Sequence, residues 1–265
     1  MAEHPGPRLL ARHRRDVILQ LLAKAGSVRV SELTERLGVS DMTVRRDLDA
    51  LAGEGALRKV HGGATMPATA PTTVEPGFAA KIHEQSAEKE AIAAAAAARI
   101  RPGTAIGLTA GTTTWHLATQ LADVADLVVV TNSMRICDTL LAAERADRTV
   151  MLTGGVRTPS DALVGPLAVQ ALRGLHLDQL FMGVHGMTER AGYSTPNLLE
   201  AETNRAFAAA AERLVVIADH TKWGTVGLAS IAALGDADTV ITDGALDDAA
   251  RATLEAHGAT VAVAA

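Results

Sequence analysis

Two sets of residues in this chain have types and spacing suited to chemistry. The first is Thr43, Arg45 and Arg46, which open a short helical pattern whose apolar side is Val44, Leu48 and Leu51. The amino-terminal end of such a helix is the end that enters a DNA major groove, where an arginine fork grips guanine or a phosphate. Shortly after it, Arg58, Lys59 and His61 sit in a segment suited to touching backbone phosphates or the minor groove. The second set lies at the ends of apolar runs. Ile106-Gly107-Leu108-Thr109 empties into Ala110-Gly111-Thr112-Thr113-Thr114. Backbone N–H groups at a helix start, with threonine hydroxyls beside them, form a cradle for phosphate or carboxylate. Thr131-Asn132-Ser133, Thr153-Gly154-Gly155 and Asp219-His220-Thr221-Lys222 follow three further apolar runs, and Lys222 supplies a cationic partner for an anion.

Each set has a plainer reading. The arginines suit a solvated basic face, Asn132 and Ser133 suit a helix cap, and Gly154 with Gly155 suits a turn. Lys222 alone is an ordinary surface lysine. The Gly-Thr-Thr loop has no Gly-Lys-Ser/Thr, so a nucleoside triphosphate is not expected. The nine histidines are scattered, and His185 and His220 at strand ends have no evident partner in a metal-ligand or triad spacing. Glu200 and Glu202 open a helix, where capping explains them, and packing explains Trp115 and His116. Neither a metal nor a cofactor is expected.

The elements that must position these residues follow from apolar spacing. Leu9, Val17, Ile18, Leu21 and Leu22 line one face of a first helix. Ser31 is the expected N-cap of a second, which Leu33 and Leu37 make amphipathic and Gly38 ends. Ser40 or Asp41 caps a third helix running to about Ala52. Two helices joined by a Gly-containing turn are a helix-turn-helix, and residues 56–64, with the Gly62-Gly63 pair, read as a hairpin wing. Residues 66–77 hold three prolines and three threonines and read as a linker. The expected domains are therefore 1–65, a winged helix-turn-helix, and 78–265, an α/β domain. In the latter, helices at 86–99, 113–122, 133–143, 198–211 and 247–256 alternate with strands at 104–109, 127–131, 149–152, 177–183, 213–218, 239–242 and 259–263. That alternation predicts a mostly parallel sheet covered by helices.

Composition agrees with this organisation. The 265 residues are 48% hydrophobic, enough for real cores. The longest apolar run, Ala91–Ala98, is far too short for a bilayer span. Arginines at positions 12, 14 and 15 stand where a secretory signal needs apolar residues, and the single cysteine, Cys137, suits a reducing cytoplasm. Aromatics are 2%, which leaves too few stacking surfaces for single-stranded nucleic acid. Net charge is −5, divided as +3 over residues 1–66 and −8 over the rest, so the basic part coincides with the expected DNA-binding domain.

Taken together, Arg14-x-x-x-Ile18, Val30-x-Glu32-Leu33, Val39-Ser40-x-x-Thr43-Val44-Arg45-Arg46-Asp47-Leu48 and Leu51-x-x-x-Gly55-x-Leu57-Arg58-x-x-His61-Gly62-Gly63-Ala64 resemble the DeoR family of bacterial regulators. The resemblance continues in Glu88-Lys89-x-x-Ile92-Ala93, Gly111-Thr112-Thr113, Thr131-Asn132-Ser133, Gly154-Gly155-x-Arg157 and Ala218-Asp219-x-x-Lys222-x-Gly224, and so spans nearly the whole chain. It implies a DNA-binding repressor of carbohydrate-metabolism genes. The carboxyl-terminal domain would share the fold of ribose-5-phosphate isomerase and coenzyme A transferases and sense a phosphorylated sugar or similar anion. It also implies a homo-oligomer, dimer or tetramer, on double-stranded operator DNA. By the resemblance, Ser40, Thr43, Arg45 and Arg46 face the operator with Arg58 and His61 on the wing. Thr112 and Thr113 hold the effector phosphate, Lys222 pairs with it, and Lys89, Gly111, Asn132, Gly154, Gly155 and Asp219 share the cleft. The chain departs from the family at Thr109, commonly aspartate, and its Phe181–Gly186 stretch lacks the isomerase's carboxylates. The alternative, an isomerase-like enzyme with an appended DNA-binding module, is therefore disfavoured.

Overall fold

The computed structural model describes residues 11–25, 27–53, 57–60, 62–65 and 77–264. The chain divides into two compact units, Met1–Thr69 and Ala70–Ala265. His61, Leu9 and the expected linker up to Pro76 lie outside the described residues.

The first unit runs α1 (Ala11–Ala25), β1 (Ser27–Arg29), α2 (Val30–Leu37), α3 (Asp41–Gly53), β2 (Arg58–Val60) and β3 (Gly63–Thr65). The apolar spacing closes on one core of Ile18, Leu22, Leu33, Val44, Leu48 and Leu51. Gly38, at φ +63, ends α2 and returns its N–H to the Thr34 carbonyl at 3.1 Å. Two expectations need correction. The wing is a three-stranded antiparallel sheet in the order β1-β3-β2, because β1 pairs with β3. Three residues carry too little period to announce a strand. And α2 starts at Val30, with Arg29 in the N-cap position and Ser31 already inside the helix. The cause is local: β1 runs straight into α2, and the Val30 N–H is taken by the Gly62 carbonyl at 2.9 Å. Behind α3, buried Asp47 accepts from Arg14 Nε at 2.8 Å and Arg15 Nε at 3.5 Å, tying α1 to the helix that carries Arg45 and Arg46.

The second unit runs α4 (Phe78–Lys81), α5 (Ser86–Ala97), β4 (Ala105–Leu108), α6 (Thr112–Thr119), β5 (Val128–Thr131), α7 (Met134–Leu141), β6 (Thr149–Leu152), β7 (Val156–Arg157), β8 (Leu163–Val164) and α8 (Pro166–Leu172). It continues with β9 (Gln179–Met182), β10 (Gly186–Thr188), β11 (Gly192–Thr195), α9 (Leu198–Ala210), β12 (Leu214–Ile217), β13 (Ala229–Ala232), β14 (Thr239–Asp243), α10 (Asp248–Ala256) and β15 (Thr260–Ala264). Seven strands form one sheet in the order β15-β14-β12-β9-β4-β5-β6, every pairing parallel. One apolar layer carries Ile92, Leu117 and Ile136 from α5, α6 and α7. The other carries Leu172, Phe207 and Leu254 from α8, α9 and α10. This is the helix-covered parallel sheet that the alternation predicts.

The sequence reading did not anticipate α4, α8, the β7–β8 hairpin or a small antiparallel sheet in the order β10-β11-β13. Those strands are short and glycine-marked, and the glycines serve close packing. A Cβ on Gly186 would lie 2.1 Å from the Thr225 carbonyl oxygen, and one on Gly192 the same distance from that of Ala232.

Chain order fixes where a ligand can sit. From β4 the chain steps to β5 and β6 on one side; from β9 it steps to β12, β14 and β15 on the other. The loops after the neighbours β4 and β9 therefore part, and a crevice opens at the carboxyl ends of the strands. Beside it, Asp161 secures the β7–β8 hairpin to α7. Its carboxylate accepts from Arg135 Nε at 2.7 Å and Arg157 Nε at 2.8 Å. The Arg135 guanidinium, and then that of Arg157, holds the Asp161 carboxyl below its ordinary value.

Two outcomes are expected. Gly63→Ala places a Cβ 2.1 Å from the Val28 carbonyl oxygen across β1–β3, so it should destabilise the first unit by about 1–3 kcal/mol in thermal unfolding and leave the second unit's transition unchanged. Asp161→Asn keeps the shape at φ +62 but removes the charge. Because the folded carboxyl titrates below the unfolded one, its contribution is present above about pH 3.9 and is lost as pH falls through the lower folded value. Urea midpoints of wild type and variant should therefore differ at pH 7 and converge toward pH 2.

Candidate functional site

In the first unit the basic residues stand at the exposed start of α3. Ser40 Oγ accepts the Thr43 N–H at 3.3 Å and pairs with Thr43 Oγ1 at 2.9 Å, so the Ser40 hydroxyl caps the helix and holds that of Thr43. Arg45 is exposed and steadied by Asp41 one turn before it, with Nε to Oδ1 at 2.5 Å. Arg46 is exposed and makes no ion pair with a described residue. Its donors face solvent and can reach a base edge or a phosphate. On the wing, Lys59 pairs with Asp49 of α3, and Arg58 lies in β2.

In the second unit an open cleft occupies the parting of β4 and β9. Its floor is Ala110-Gly111-Thr112-Thr113. Gly111 caps α6 without a side chain, so the first-turn N–H groups point into the cleft, and the Thr112 and Thr113 hydroxyls hold no described partner. Gly183-Val184-His185 form a second wall after β9. Lys222 enters from the turn after β12, and Lys81 enters from α4. Thr195, Pro196 and Glu200 close the far side, with Thr195 Oγ1 donating to Glu200 Oε2 at 2.9 Å. Two ammonium groups, helix N–H donors and two hydroxyls face one space, which suits a small polar molecule bearing a phosphate.

The structure brings Gly111, Thr112, Thr113 and Lys222 together there and gives the other expected cleft residues different work. Buried Asn132 accepts the Ala110 N–H at 2.8 Å and donates to the Leu163 carbonyl at 3.2 Å, so its amide holds the floor loop in place. Gly154 and Gly155 are not among the residues that line the cleft. A Cβ on Gly155 would meet the Val164 carbonyl oxygen at 2.5 Å, so that glycine serves β7–β8 packing. Asp219 is buried and accepts the Thr221 N–H at 3.1 Å, capping the turn that carries Lys222, with its Oδ2 at 3.8 Å from Lys222 Nζ. Lys89, 1% exposed, donates from Nζ to the carbonyls of Lys81 at 2.8 Å and Glu84 at 2.5 Å, beneath the wall. Burial pulls its ammonium below the ordinary lysine value, against the attraction of Asp219. Thr109 is buried too, and its Oγ1 accepts the Gly183 N–H at 3.1 Å, stitching the two strand ends.

Three further findings depart from the sequence reading. Asn197, not the glutamates, caps α9, with Oδ1 accepting from Leu199 and Glu200 N–H at 3.0 and 3.2 Å. His220 has a partner 23 residues away in Asp243, Nδ1 to Oδ1 at 2.9 Å, outside the cleft lining. Lys81 was missed because a four-residue helix has no periodicity to reveal it. Among the described residues no three His, Cys, Asp or Glu side chains group as metal ligands, and no helix is long and apolar enough to cross a membrane.

Comparison with known proteins agrees with both units. Residues 14–70 match the DeoR-like helix-turn-helix domain, and residues 84–244 match the DeoR C-terminal sensor domain. The HTH-type transcriptional regulator YgbI of Escherichia coli K12 is 38% identical over 91% of this chain and 93% of its own. The glycerol-3-phosphate regulon repressor of the same organism is 29% identical over 87% of this chain and 90% of its own. Among solved structures, ribose 5-phosphate isomerase A from Methanocaldococcus jannaschii gives a TM-score of 0.39 at 15% identity, over 53% of this chain and 55% of that one. The sensor match alone covers more than half of the chain, and with the helix-turn-helix match before it this protein belongs to the DeoR family of DNA-binding transcriptional regulators.

Proposed function

We propose that the protein is a cytoplasmic repressor of carbohydrate-metabolism genes, released from its operator when a phosphorylated sugar or similar metabolite fills the cleft. The observation that carries this reading is the convergence of α6 N–H groups, Thr112, Thr113, Lys81 and Lys222 on one space in a chain whose other unit is a helix-turn-helix. The name of one relative, a glycerol-3-phosphate regulon repressor, joins a phosphate ester to repression. Arg45, Arg46 and Thr43 face the operator, with Ser40 shaping the turn before them and Arg58 and His61 on the wing. The protein works as a homo-oligomer, since two half-sites need two recognition helices. We read it as a regulator and not as an isomerase-like enzyme: the Phe181–Gly186 stretch carries none of the isomerase's carboxylates, and the Glu200 carboxylate on the far side of the cleft accepts from Thr195 Oγ1. Effector and operator are linked through their separate affinities for two arrangements of the protein, and a coupling of about 1–3 kcal/mol changes operator affinity about 5- to 150-fold.

Fluorescence anisotropy on the DNA upstream of the protein's own gene, at two salt concentrations and with a panel of sugar phosphates, tests the reading. Salt separates phosphate contacts from specificity. Tight specific binding released by one panel member is the expected result, and turnover of that member without specific DNA binding would sink it. Arg46→Ala should weaken specific binding roughly tenfold or more while the effector still binds. Lys222→Ala should do the reverse, keeping operator affinity and raising the effector concentration for half-release at least tenfold.

A further inference from the structure

The cleft wall that sequence did not announce is also the part of the second unit nearest in sequence to the linker. Residues 77–85 are fastened at both ends. At the start, buried Phe78 stands edge-on to Trp115 with ring centroids 6.1 Å apart, receives the Arg135 guanidinium on its face at 5.0 Å, and donates its N–H to the Pro159 carbonyl at 3.4 Å. Trp115 belongs to the opening turns of α6, the helix whose N-terminus makes the cleft floor, and its indole Nε1 donates to Thr139 of α7 at 3.0 Å. At the other end Lys89 holds the carbonyls of Lys81 and Glu84. Between the two fastenings the Lys81 side chain lines the cleft.

A buried ammonium is tolerated only while its hydrogen-bond partners stay in place. Lys89 therefore has its carbonyl partners only while residues 81–84 lie over it, and if they lift away its charge is stranded. The Lys89 charge is also attracted by Asp219 and Glu84 and repelled by Lys222 and Lys81. An anion in the cleft offsets the two repulsions, which strengthens the grip of Lys89 on the segment.

We propose that residues 77–85 carry cleft occupancy toward the linker, and that Lys89 is the positioning residue that makes this segment's hold depend on the charge in the cleft. Lys89 does not touch the effector; it acts through the two carbonyls. This inference rests on the reading of the cleft as an anion site.

Amide hydrogen exchange on the full chain, with inorganic phosphate as the probe, tests it. In the wild type, phosphate should slow exchange at least fivefold both at residues 112–115 and at residues 78–85. In Lys89→Met, phosphate should still slow exchange at 112–115, with a Kd by calorimetry within about threefold of wild type, and leave 78–85 unchanged. Phe78→Leu loosens the opposite fastening and should uncouple the segment in the same way, so the inference stays testable if the lysine variant fails to fold. A Lys89→Met protein whose segment still responds as wild type does, or a wild type that responds at 112–115 and not at 78–85, would overturn the proposal. No response at 112–115 in the wild type would overturn the anion reading of the cleft and this inference with it.

Discussion

Everything the second unit does depends on the seam between β4 and β9, two parallel neighbours from which the chain departs in opposite directions. The seam has to be tight. Gly107 on β4 faces Leu180 and Leu177, and a Cβ there would come within 2.8 and 2.9 Å of their methyl groups. At the top of the seam the Thr109 hydroxyl accepts the Gly183 N–H, so the strands stay together until one residue before their loops diverge. A crevice of fixed width results, with a helix N-terminus on one side and a glycine turn on the other. An aspartate at position 109 would carry a charge into this fully buried place; threonine supplies the stitch without one.

Around the seam, buried polar residues divide into those that build the cleft and those that face it, and sequence shows only their types. Asn132, Asp219 and Lys89 were read as cleft residues because they follow strands or match family positions, which is where ligand groups are found. Asn132 bonds the Ala110 and Leu163 backbone and Lys89 the carbonyls of Lys81 and Glu84, while Asp219 uses Oδ1 on Thr221 and leaves Oδ2 without a hydrogen bond among the described residues, 3.8 Å from Lys222 Nζ. Thr112 and Thr113, by contrast, keep their hydroxyls clear of described partners. Distinguishing the two kinds requires knowing which carbonyl comes within 3 Å of which side chain, and that is a property of the closed fold.

The same limit decides what was legible elsewhere. The parallel sheet is readable because its central strands carry unbroken apolar runs such as Leu214–Ile217, buried throughout, and most of the covering helices have their period. The recognition helix was readable from Val44, Leu48 and Leu51. Asp47, two positions after Arg45, looks like one more charge on a polar face, yet it is buried under Arg14 and Arg15 from α1. The partners are more than thirty residues away, so no local pattern could pair them. The two- and three-residue strands β1, β7 and β8 are illegible because their stability comes from the partner strand and not from their own residues.

The distance from Lys222 to Asp219 bears on how the cleft would take the anion proposed for it, although the second unit is acidic overall. At 3.8 Å the carboxylate attracts the ammonium and orients it, but the separation is too long for a hydrogen bond, so the ammonium spends no donor on it. Asp219 is in turn held by Thr221 and screened from solvent, so it acts as a fixed field behind the lysine. In the proposed reading a phosphate entering the cleft meets an ammonium already in position, beside the N-terminus of α6. Little has to be reorganised on binding, and most of the interaction remains to discriminate between two states of the protein. A ligand can shift such an equilibrium only by its difference in affinity for the two states. In the reading proposed above, Lys222 is held from behind by Asp219 and the 77–85 wall carries the response, which meets both requirements at once.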